Sequence, residues 1–252
     1  MPLRKRPFIF ALLLALPCLS AFAVEPAAAP ASQPCPAAAK ACADSTAAPC
    51  AKATRALFNG VNLDGWYTYL DGAGYEDPER NFRVEDGVLH IIGTGTGYVA
   101  TKESFSDYHL KVVFKWGEMR YPPREALPRD SGIQFHFALG EADKVWPHSI
   151  ECQVQEHDCG DVWCIGTTLD SPNLRDPDPN LSAMHVLRSE DFENPLGQWN
   201  TMEIVARGNR FEFYVNGHLV NSGTNADVHE GRIVLQSEAA EIFYKSVEIT
   251  PL

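Results

Sequence analysis

Residues 108–116 read Tyr-His-Leu-Lys-Val-Val-Phe-Lys-Trp, and their pattern indicates the fold class. Large apolar side chains recur at every second position from Leu110 to Trp116, and mostly polar side chains lie between them. A period of two places successive side chains on opposite faces of a β-strand. The stretch therefore predicts a strand with one face in a core and the other toward solvent.

Two short turns elsewhere in the chain indicate β-hairpins. Asp86-Gly87 and Asn216-Gly217 each lie between two short apolar runs, and such pairs favour the positive φ angles of tight hairpin turns. The ranges 131–139, 149–155, 199–206, 232–236 and 242–249 are further predicted strands. No long stretch has apolar residues at helical spacing. The pattern therefore predicts an all-β fold, an antiparallel sandwich or jelly roll.

The charge balance excludes one class of partner. The 252 residues include 33 Asp and Glu against 21 Lys and Arg, which gives a formal net charge of −12. A surface that binds nucleic acid needs clustered basic residues to neutralise phosphates. Because the only basic run lies in the first residues, no nucleic-acid partner is predicted.

The N-terminal residues have the pattern of a secretory signal. Three basic residues at 4–6 precede an apolar run at 8–16, and Ala21-Phe22-Ala23 follows as a cleavage site. The apolar run is too short to span a bilayer, so we expect export, cleavage and release to the periplasm or medium, with no membrane span. Lipid attachment through Cys18 is disfavoured, because Pro17 stands where a small residue is expected.

The remaining chain divides into a linker and one domain. Residues 24–53 are rich in Ala, Pro and Cys and contain almost no large apolar side chains, so this segment cannot bury enough surface to offset its ordering entropy. Residues 54–252 then form a single domain of ordinary size. Within it, residues 171–194 are rich in Pro, Asp and Asn and are predicted to form a long excursion between strands.

The cysteines after the signal fall into two groups. They are Cys35, Cys42 and Cys50 in the linker, and Cys152, Cys159 and Cys164 in the domain. With three cysteines in each group, internal pairing leaves one unpaired in each, or a bridge joins the linker to the domain. An exported protein can form disulfides, and Cys159 with Cys164 is the easiest loop closure. Cys152 is predicted to be a buried small hydrophobe. A zinc site would lack paired C-x-x-C spacing.

Two predicted strands carry an unusual set of polar side chains on one face. In residues 131–137 the odd positions from Ile133 onward are apolar, so Gln134 and His136 are predicted to project together on the opposite face. In residues 149–157 the same alternation aligns Glu151, Gln153, Gln155 and, if the strand is long enough, His157. Amides offer donors and acceptors together, which suits a ligand made of hydroxyl groups. The alternative is an ordinary solvated sheet face.

Further residues could complete a sugar-binding groove. Trp146 and Trp163 flank the polar strand, and exposed aromatic rings are platforms for the C–H faces of sugars, although each could instead be a core residue. Lys102 and Asp130 sit at strand entrances, from which they could reach the same face.

A retaining glucanase is a weaker interpretation of the same strand. Such enzymes use two nearby carboxylates, and jelly-roll members place them in an E-x-D-x-x-E run. Here Glu151 is followed by Gln153 at the middle position, and strict alternation turns Glu156 away from the groove unless a bulge intervenes.

Short motifs in a fixed order along residues 55–252 carry a family resemblance. They are Leu57-Phe58-Asn59-Gly60-Val61-Asn62-Leu63-Asp64-Gly65-Trp66, Phe82-Arg83-Val84-Glu85-Asp86-Gly87-Val88-Leu89, Ser131-Gly132-Ile133, Ile150-Glu151-Cys152-Gln153, Gly197-Gln198-Trp199-Asn200, Val215-Asn216-Gly217 and Ile233-Val234-Leu235-Gln236. With them the sequence resembles the 3-keto-glycoside hydrolase family, also described as a 3-keto-glucoside 1,2-lyase and 3-keto-2-hydroxyglucal hydratase domain. The resemblance implies a concanavalin-like jelly-roll β-sandwich.

The resemblance also implies a chemistry. A ketone at C3 of a sugar acidifies the hydrogen at C2, so a base can remove it and the enolate can expel the aglycone from C1. Water then adds to the resulting enone. Such an enzyme needs a base, a stabiliser for the enolate oxygen and an acid for the leaving group.

On this interpretation Glu151 or His157 acts as the base. His136 serves as the acid or, with a metal, polarises the ketone. The side chains expected to hold sugar hydroxyls are Gln134, Gln153, Gln155 and, in the family's I-x-L-Q element, Gln236. Glu151, His136 and His157 also offer ligands for a divalent cation, although no spacing requires one.

The leading hypothesis is therefore an exported enzyme that cleaves 3-keto-glycosides by elimination and hydration. A noncatalytic carbohydrate-binding module on the same fold is the alternative, because groove amides alone suffice for binding. A conventional glucanase is the third. The leading hypothesis also implies a separate oxidoreductase that supplies the 3-keto-sugar.

Overall fold

A computed structural model describes residues 52–138 and 140–252, and in these residues every regular element is a β-strand. Eight strands form the first sheet: β1 (Arg55–Ala56), β3 (Phe82–Glu85), β4 (Val88–Ile91), β6 (Tyr108–Arg120), β11 (Asn200–Arg207), β12 (Arg210–Val215), β13 (His218–Gly223) and β15 (Ala240–Pro251). Seven form the second: β2 (Trp66–Leu70), β5 (Gly97–Thr101), β7 (Asp130–Phe137), β8 (Ser149–Gln155), β9 (Val162–Ile165), β10 (Met184–Val186) and β14 (Arg232–Ser237). All pairings are antiparallel, which confirms the all-β prediction.

The alternating stretch of residues 108–116 forms the centre of the first sheet. It lies in β6, which pairs with β11 on one side and β15 on the other. Both predicted hairpins are present, with positive φ at Asp86 and Asn216 and at the glycine that follows each. Strands β1, β2, β5, β9 and β10 were not predicted.

The hydrophobic core lies between the two sheets. Phe114 and Phe213 from the first sheet and Ile133 and Phe135 from the second are fully buried, and the rings of Phe135 and Phe213 meet at 5.7 Å. Burying each such side chain contributes roughly 1.5–3 kcal/mol. One face of the second sheet therefore belongs to the core, and its other face is the outer face.

Register aligns one outer-face residue from every strand of the second sheet. From β2 across β5, β14, β7, β8 and β9 to β10, this cross-strand row reads Tyr67, Ala100, Val234, Gln134, Glu151, Trp163 and His185. The row begins with aromatic and apolar residues and ends with polar and aromatic ones. The chemically active groups are thus gathered over β7 to β10.

A bulge in β7 changes which side chains reach the outer face. Val234 pairs with Gln134 and Arg232 pairs with Phe137, so two residues of β7 face the single residue Ile233. His136 adopts a φ of 53° at this point. A Cβ at Gly231 would lie 2.3 Å from the carbonyl oxygen of Phe137, so only glycine admits this close approach.

The prediction that His136 shares a face with Gln134 is therefore wrong. The extra residue turns His136 inward, where its ring lies 5.5 Å from the rings of both Tyr108 and Phe211 and is completely buried. Phe137 takes the outer face instead and packs with Tyr98, Ala100 and Val234. Burial lowers the pKa of His136 to about 4, so this imidazole is neutral at neutral pH.

The described cysteines form no disulfide. Cys152, Cys159 and Cys164 are all buried free thiols, so the predicted closure between Cys159 and Cys164 is wrong, whereas Cys152 is a buried hydrophobe as predicted. The predicted signal and nearly all of the predicted linker lie outside the described residues. Within those residues, no helix is long and apolar enough to cross a membrane.

The buried imidazole predicts an acid sensitivity of the fold. The pKa of His136 falls from 6.5 to about 4 on folding. Between pH 7 and pH 5 the unfolded chain therefore binds a proton at this residue, whereas the folded domain does not. The wild-type free energy of unfolding should fall by about 2 kcal/mol from this group alone. His136→Asn, in which the new residue tolerates a positive φ, should remove this contribution to the pH dependence. Urea unfolding of both proteins at pH 7 and pH 5 measures their free energies of unfolding. An equal pH dependence in the two proteins would contradict the prediction.

Candidate functional site

A cleft of about 480 Å³ lies on the outer face of the second sheet. Its lining residues are Arg124, Asp130, Trp146, Glu151, Gln153, Gln155, Asp158, Asp161, Trp163, Ile165, Gly166, Ser182, Ala183, His185 and Glu238. They come from β7 to β10, from the turn after β14 and from the loops that border these strands. Carboxyl, amide and aromatic groups dominate the lining, in agreement with the polar face predicted from β8.

Glu151 forms the floor of the cleft, and no cationic side chain of the described residues pairs with it. Its side chain is nearly inaccessible, and Oε2 accepts hydrogen bonds from Gln134 Nε2 at 3.3 Å and Gln236 Nε2 at 3.0 Å. Burial, reinforced by the nearby charges of Glu238 and Asp130, raises the pKa of Glu151 well above its ordinary value, and the two amide hydrogen bonds offset only part of this rise. Glu151 is thus suited to hold a proton.

A glycine makes room for this arrangement. A Cβ on Gly132 would lie 1.8 Å from Gln236 Oε1 and 2.6 Å from Glu151 Oε1. Any side chain at this position would occupy the space in which these two groups meet. Gly132 is one of the motif positions in the sequence, and its role is steric.

Asp130 is a second carboxyl with a raised pKa. Burial and the nearby charge of Glu238 raise the pKa of Asp130 to about 8, although contact with the Arg124 guanidinium opposes the rise. Arg124 also donates a hydrogen bond to Gln155 Oε1 at 3.3 Å. The cleft therefore contains two buried acids in different surroundings, one beside a cation and one among amides.

Several buried oxygen atoms around these acids have no hydrogen-bond donor in the part of the chain that the structure describes. They are Asp130 Oδ1, Gln134 Oε1, Gln153 Oε1 and Gln236 Oε1. A buried acceptor without a partner costs free energy, roughly 1–3 kcal/mol. A ligand that carries several hydroxyl groups would supply the missing donors, and a hard cation would also suit these oxygens.

Trp163 and His185 form one side of the cleft. Their rings are stacked 4.0 Å apart and nearly parallel. His185 bonds through Nε2 to Asp161 at 2.9 Å and through Nδ1 to Asp176 at 3.0 Å. Burial alone would lower the pKa of His185, but these two carboxylates outweigh it and raise that pKa. The imidazole ring is thereby fixed against the indole.

The structure brings most of the predicted site residues together. Those that line the cleft are Asp130, Trp146, Glu151, Gln153 and Gln155, and Gln134 and Gln236 bond to Glu151 at its floor. Three do not join them: His136 is in the core, Lys102 is an exposed residue after β5, and His157 follows the end of β8. Glu156 also lies outside, paired with Arg129 at 2.9 Å, as strict alternation requires.

His157 belongs to a different cluster. β8 ends at Gln155, and His157 lies in the following turn with a φ of 72° and a largely exposed side chain. Its Nδ1 is 3.1 Å from Asp191 Oδ2, and its backbone N–H donates to Glu193 at 2.7 Å. These three side chains can place ligand atoms within 4.8 Å of one another. The ligand set Glu151, His136 and His157 that the sequence suggested is not assembled.

The sequence did not reveal several cleft residues. Asp158, Asp161, His185, Arg124 and Glu238 lie in turns or in short strands that have no alternating pattern long enough to orient a side chain. Asp161 and His185 are brought to the cleft by the pairing of β9 with β8 and of β10 with β9, which local sequence does not indicate.

An antiparallel β-sandwich with an acid- and amide-lined cleft on one outer face is an architecture suited to carbohydrate-active proteins. The sequence matches the 3-keto-alpha-glucoside-1,2-lyase-like domain over residues 53–250, and the chain belongs to that family. The family resemblance found in the sequence is thereby confirmed. No curated protein sequence matches the chain.

Solved structures with a similar fold have low sequence identity to this chain. Two candidate glycosyl hydrolases from Parabacteroides distasonis ATCC 8503 share 18% and 20% identity at TM-scores of 0.56 and 0.54; each covers 79% of this chain, with 94% and 100% of their own lengths matched. A Bacillus licheniformis β-glucanase shares 12% identity at a TM-score of 0.51, over 81% of this chain and 100% of its own. The jelly-roll fold is thereby confirmed.

The burial of Glu151 predicts a stability difference with a definite sign. Because folding raises the pKa of Glu151, the folded domain retains a proton that the unfolded chain loses as the pH rises above about 5. The contribution of Glu151 to the wild-type free energy of unfolding should therefore decrease from pH 5 to pH 8. Glu151→Gln should gain stability relative to wild type over this range. Urea unfolding tests this, with the exposed Glu230→Gln as a control that should follow wild type; a constant difference between Glu151→Gln and wild type would contradict it.

Proposed function

We propose that this protein cleaves 3-keto-glycosides by elimination followed by hydration. The observation that carries the proposal is the pair of buried acids, Glu151 and Asp130, which share one cleft but differ in their neighbours. An elimination next to a ketone needs one group that takes a proton and another that gives one. A cleft used only for binding has no need of buried carboxyls with raised pKa values.

The reaction has two stages. A base removes the proton from C2, and the electrons of that C–H bond form an enolate with the C3 ketone. The enolate then expels the C1 oxygen substituent, which takes a proton from an acid and leaves a C1–C2 double bond conjugated to the ketone. Water adds across that double bond, with its oxygen at C1 and a proton returned to C2.

The surroundings of the two acids suggest their roles. Asp130 contacts Arg124, which favours its ionised form, so Asp130 is the better base. Glu151 has no cation beside it and holds its proton more strongly, so it is the better acid for the leaving group. Arg124 supplies positive charge for the enolate oxygen. This assignment replaces both His136 and His157, which lie outside the cleft.

The amides provide recognition of the sugar. Gln153 lines the cleft, while Gln134 and Gln236 bond to Glu151 at its floor, and each presents an acceptor oxygen without a partner. Sugar hydroxyls would donate to these oxygens. A conventional glucanase is not proposed, because Gln153 replaces the middle acid of the glucanase run and Glu156 is bound to Arg129.

The activity test uses matched substrates. The purified protein is incubated with a 3-keto-disaccharide and with its unoxidised parent, and the enone and the released sugar are followed. We expect turnover of the keto substrate alone. Glu151→Gln and Asp130→Asn should each lower kcat by at least about 100-fold, whereas His157→Ala should retain wild-type turnover.

A parallel assay with chelator, then with added divalent cations, tests for a metal requirement.

A change of leaving group separates the two roles. A 4-nitrophenyl 3-keto-glucoside needs no proton on its departing oxygen, so Glu151→Gln should recover most of its lost rate on this substrate and Asp130→Asn should not. The reverse result would exchange the roles. Cleavage of the unoxidised parent would support a glucanase, and binding without turnover of either substrate would support a noncatalytic carbohydrate-binding module.

The N-terminal sequence indicates where the protein acts, and the proposed reaction requires a source of the 3-keto-sugar. We propose that the protein is exported to the periplasm or medium and that a separate oxidoreductase provides the 3-keto-sugar. Protein recovered from the producing cells should begin immediately after Ala23, as N-terminal sequencing would show. An N-terminus that still includes residues 4–16 would contradict cleavage of the signal.

A further inference from the structure

A loop seals one half of the outer face of the second sheet. Tyr98, Ala100, Phe137 and Val234 are completely buried although they lie on the face turned away from the core. Asp143, in the loop of residues 140–147 between β7 and β8, bonds to the tyrosines of this surface. This half of the sheet is therefore closed to a ligand.

Asp143 fixes the loop in this position. Its carboxylate accepts hydrogen bonds from the hydroxyl groups of Tyr67 and Tyr75, at 2.6 and 2.8 Å, and from that of Tyr98. Arg232 donates to the Tyr67 hydroxyl at 3.2 Å and stacks over its ring. Burial alone would raise the pKa of Asp143, but the three hydroxyl groups outweigh it and lower that pKa. The carboxylate is thus ionised and firmly held.

The far end of the loop forms a wall of the cleft. Trp146 lines the cleft and donates from Nε1 to Glu238 Oε1 at 2.8 Å. Glu238 follows β14, the strand that contributes Gln236 to the floor. The wall therefore stands on the β14 side of the two buried acids.

The opposite side of the cleft continues outward. A second cavity of about 270 Å³ shares Ser182, Ala183 and His185 with the cleft and extends past them to Arg175 and Asp178. Trp163 lies between Glu151 and His185 in the cross-strand row, so the indole face not covered by His185 is turned toward Glu151. A chain could leave the cleft on this side but not on the side of the loop.

We propose that the 140–147 loop makes this protein specific for a ketone on the terminal, non-reducing sugar of its substrate. The inference rests on the proposed function. The keto-sugar ring occupies the closed side above Gln236 and Glu151. Its C1 substituent points toward Trp163 and continues past Ser182. No space remains for a further sugar attached to the keto ring itself.

Two isomeric trisaccharides test this directly. One carries the ketone on the non-reducing terminal glucose and the other on the middle glucose, and cleavage at C1 of the keto ring is measured for each with the full-length wild-type protein. The terminal isomer should react at least about 100-fold faster in kcat/KM, since an excluded sugar is a larger steric penalty than an excluded methylene. The 3-keto-disaccharide should react like the terminal isomer.

Variants identify the loop as the cause. Asp143→Ala removes the anchor and should raise the ratio of middle to terminal cleavage by about 10-fold. Lys144→Ala, an exposed substitution in the same loop, should leave the ratio unchanged.

Trp163→Ala tests where the second sugar binds. This variant should raise the KM for the disaccharide by about 10-fold and the KM for a methyl 3-keto-glucoside by less than about 2-fold, because only the disaccharide places a ring on the indole.

The outcomes separate this inference from the function on which it rests. If no 3-keto-glycoside reacts, the proposed function fails. If both trisaccharides react equally, the function stands and the terminal specificity is overturned. If Asp143→Ala is folded and keeps the wild-type ratio, the loop is not the cause. Should Asp143→Ala not fold, Trp146→Ala, which shortens the wall itself, is expected to raise the same ratio.

Discussion

The burial of the Glu151 carboxyl without a cation governs the organisation of the cleft. A buried carboxylate needs either a positive partner or a proton, and here only amide donors and further acids surround it. The donors come from β7 and β14, on the same side of β8. Gln236 can reach Glu151 only because Gly132, whose Cβ would lie against both side chains, has no side chain. The hydrogen bonding of Glu151 and the packing of the side chains around it thus both require glycine at position 132.

Much of the fold and part of the site could be predicted from alternation alone. Strand β8 matches its predicted range, and its outward residues Glu151, Gln153 and Gln155 all reach the cleft. Long alternating strands are informative because a half-buried face constrains every second residue. The same rule places Gln134 on the outer face of β7, where the structure pairs it with Glu151 of β8.

The failures have specific physical reasons. The residues Phe135, His136 and Phe137 appear to alternate in the sequence, but the structure has a bulge at this point. The bulge depends on Gly231, which is nearly a hundred residues away in sequence. His157 was misplaced because β8 ends two residues earlier, so its direction is set by a turn. His185 was missed because β10 is a three-residue strand whose position is defined only by pairing with β9. Long-range contacts decided the positions of His136 and His185, and local sequence does not record such contacts.

The state of the cysteines has a consequence for how the domain can be produced and handled. All three described thiols are buried, and burial raises the pKa of each, so they are poor thiolates and poor targets for oxidation. Sulfur chemistry therefore contributes no crosslink among these three residues. Among residues 52–138 and 140–252 the sandwich is held by packing and hydrogen bonding, without a crosslink between these three thiols. A domain expressed from residue 52 onward in the cytoplasm of a reducing host should therefore reach this fold without an oxidising catalyst.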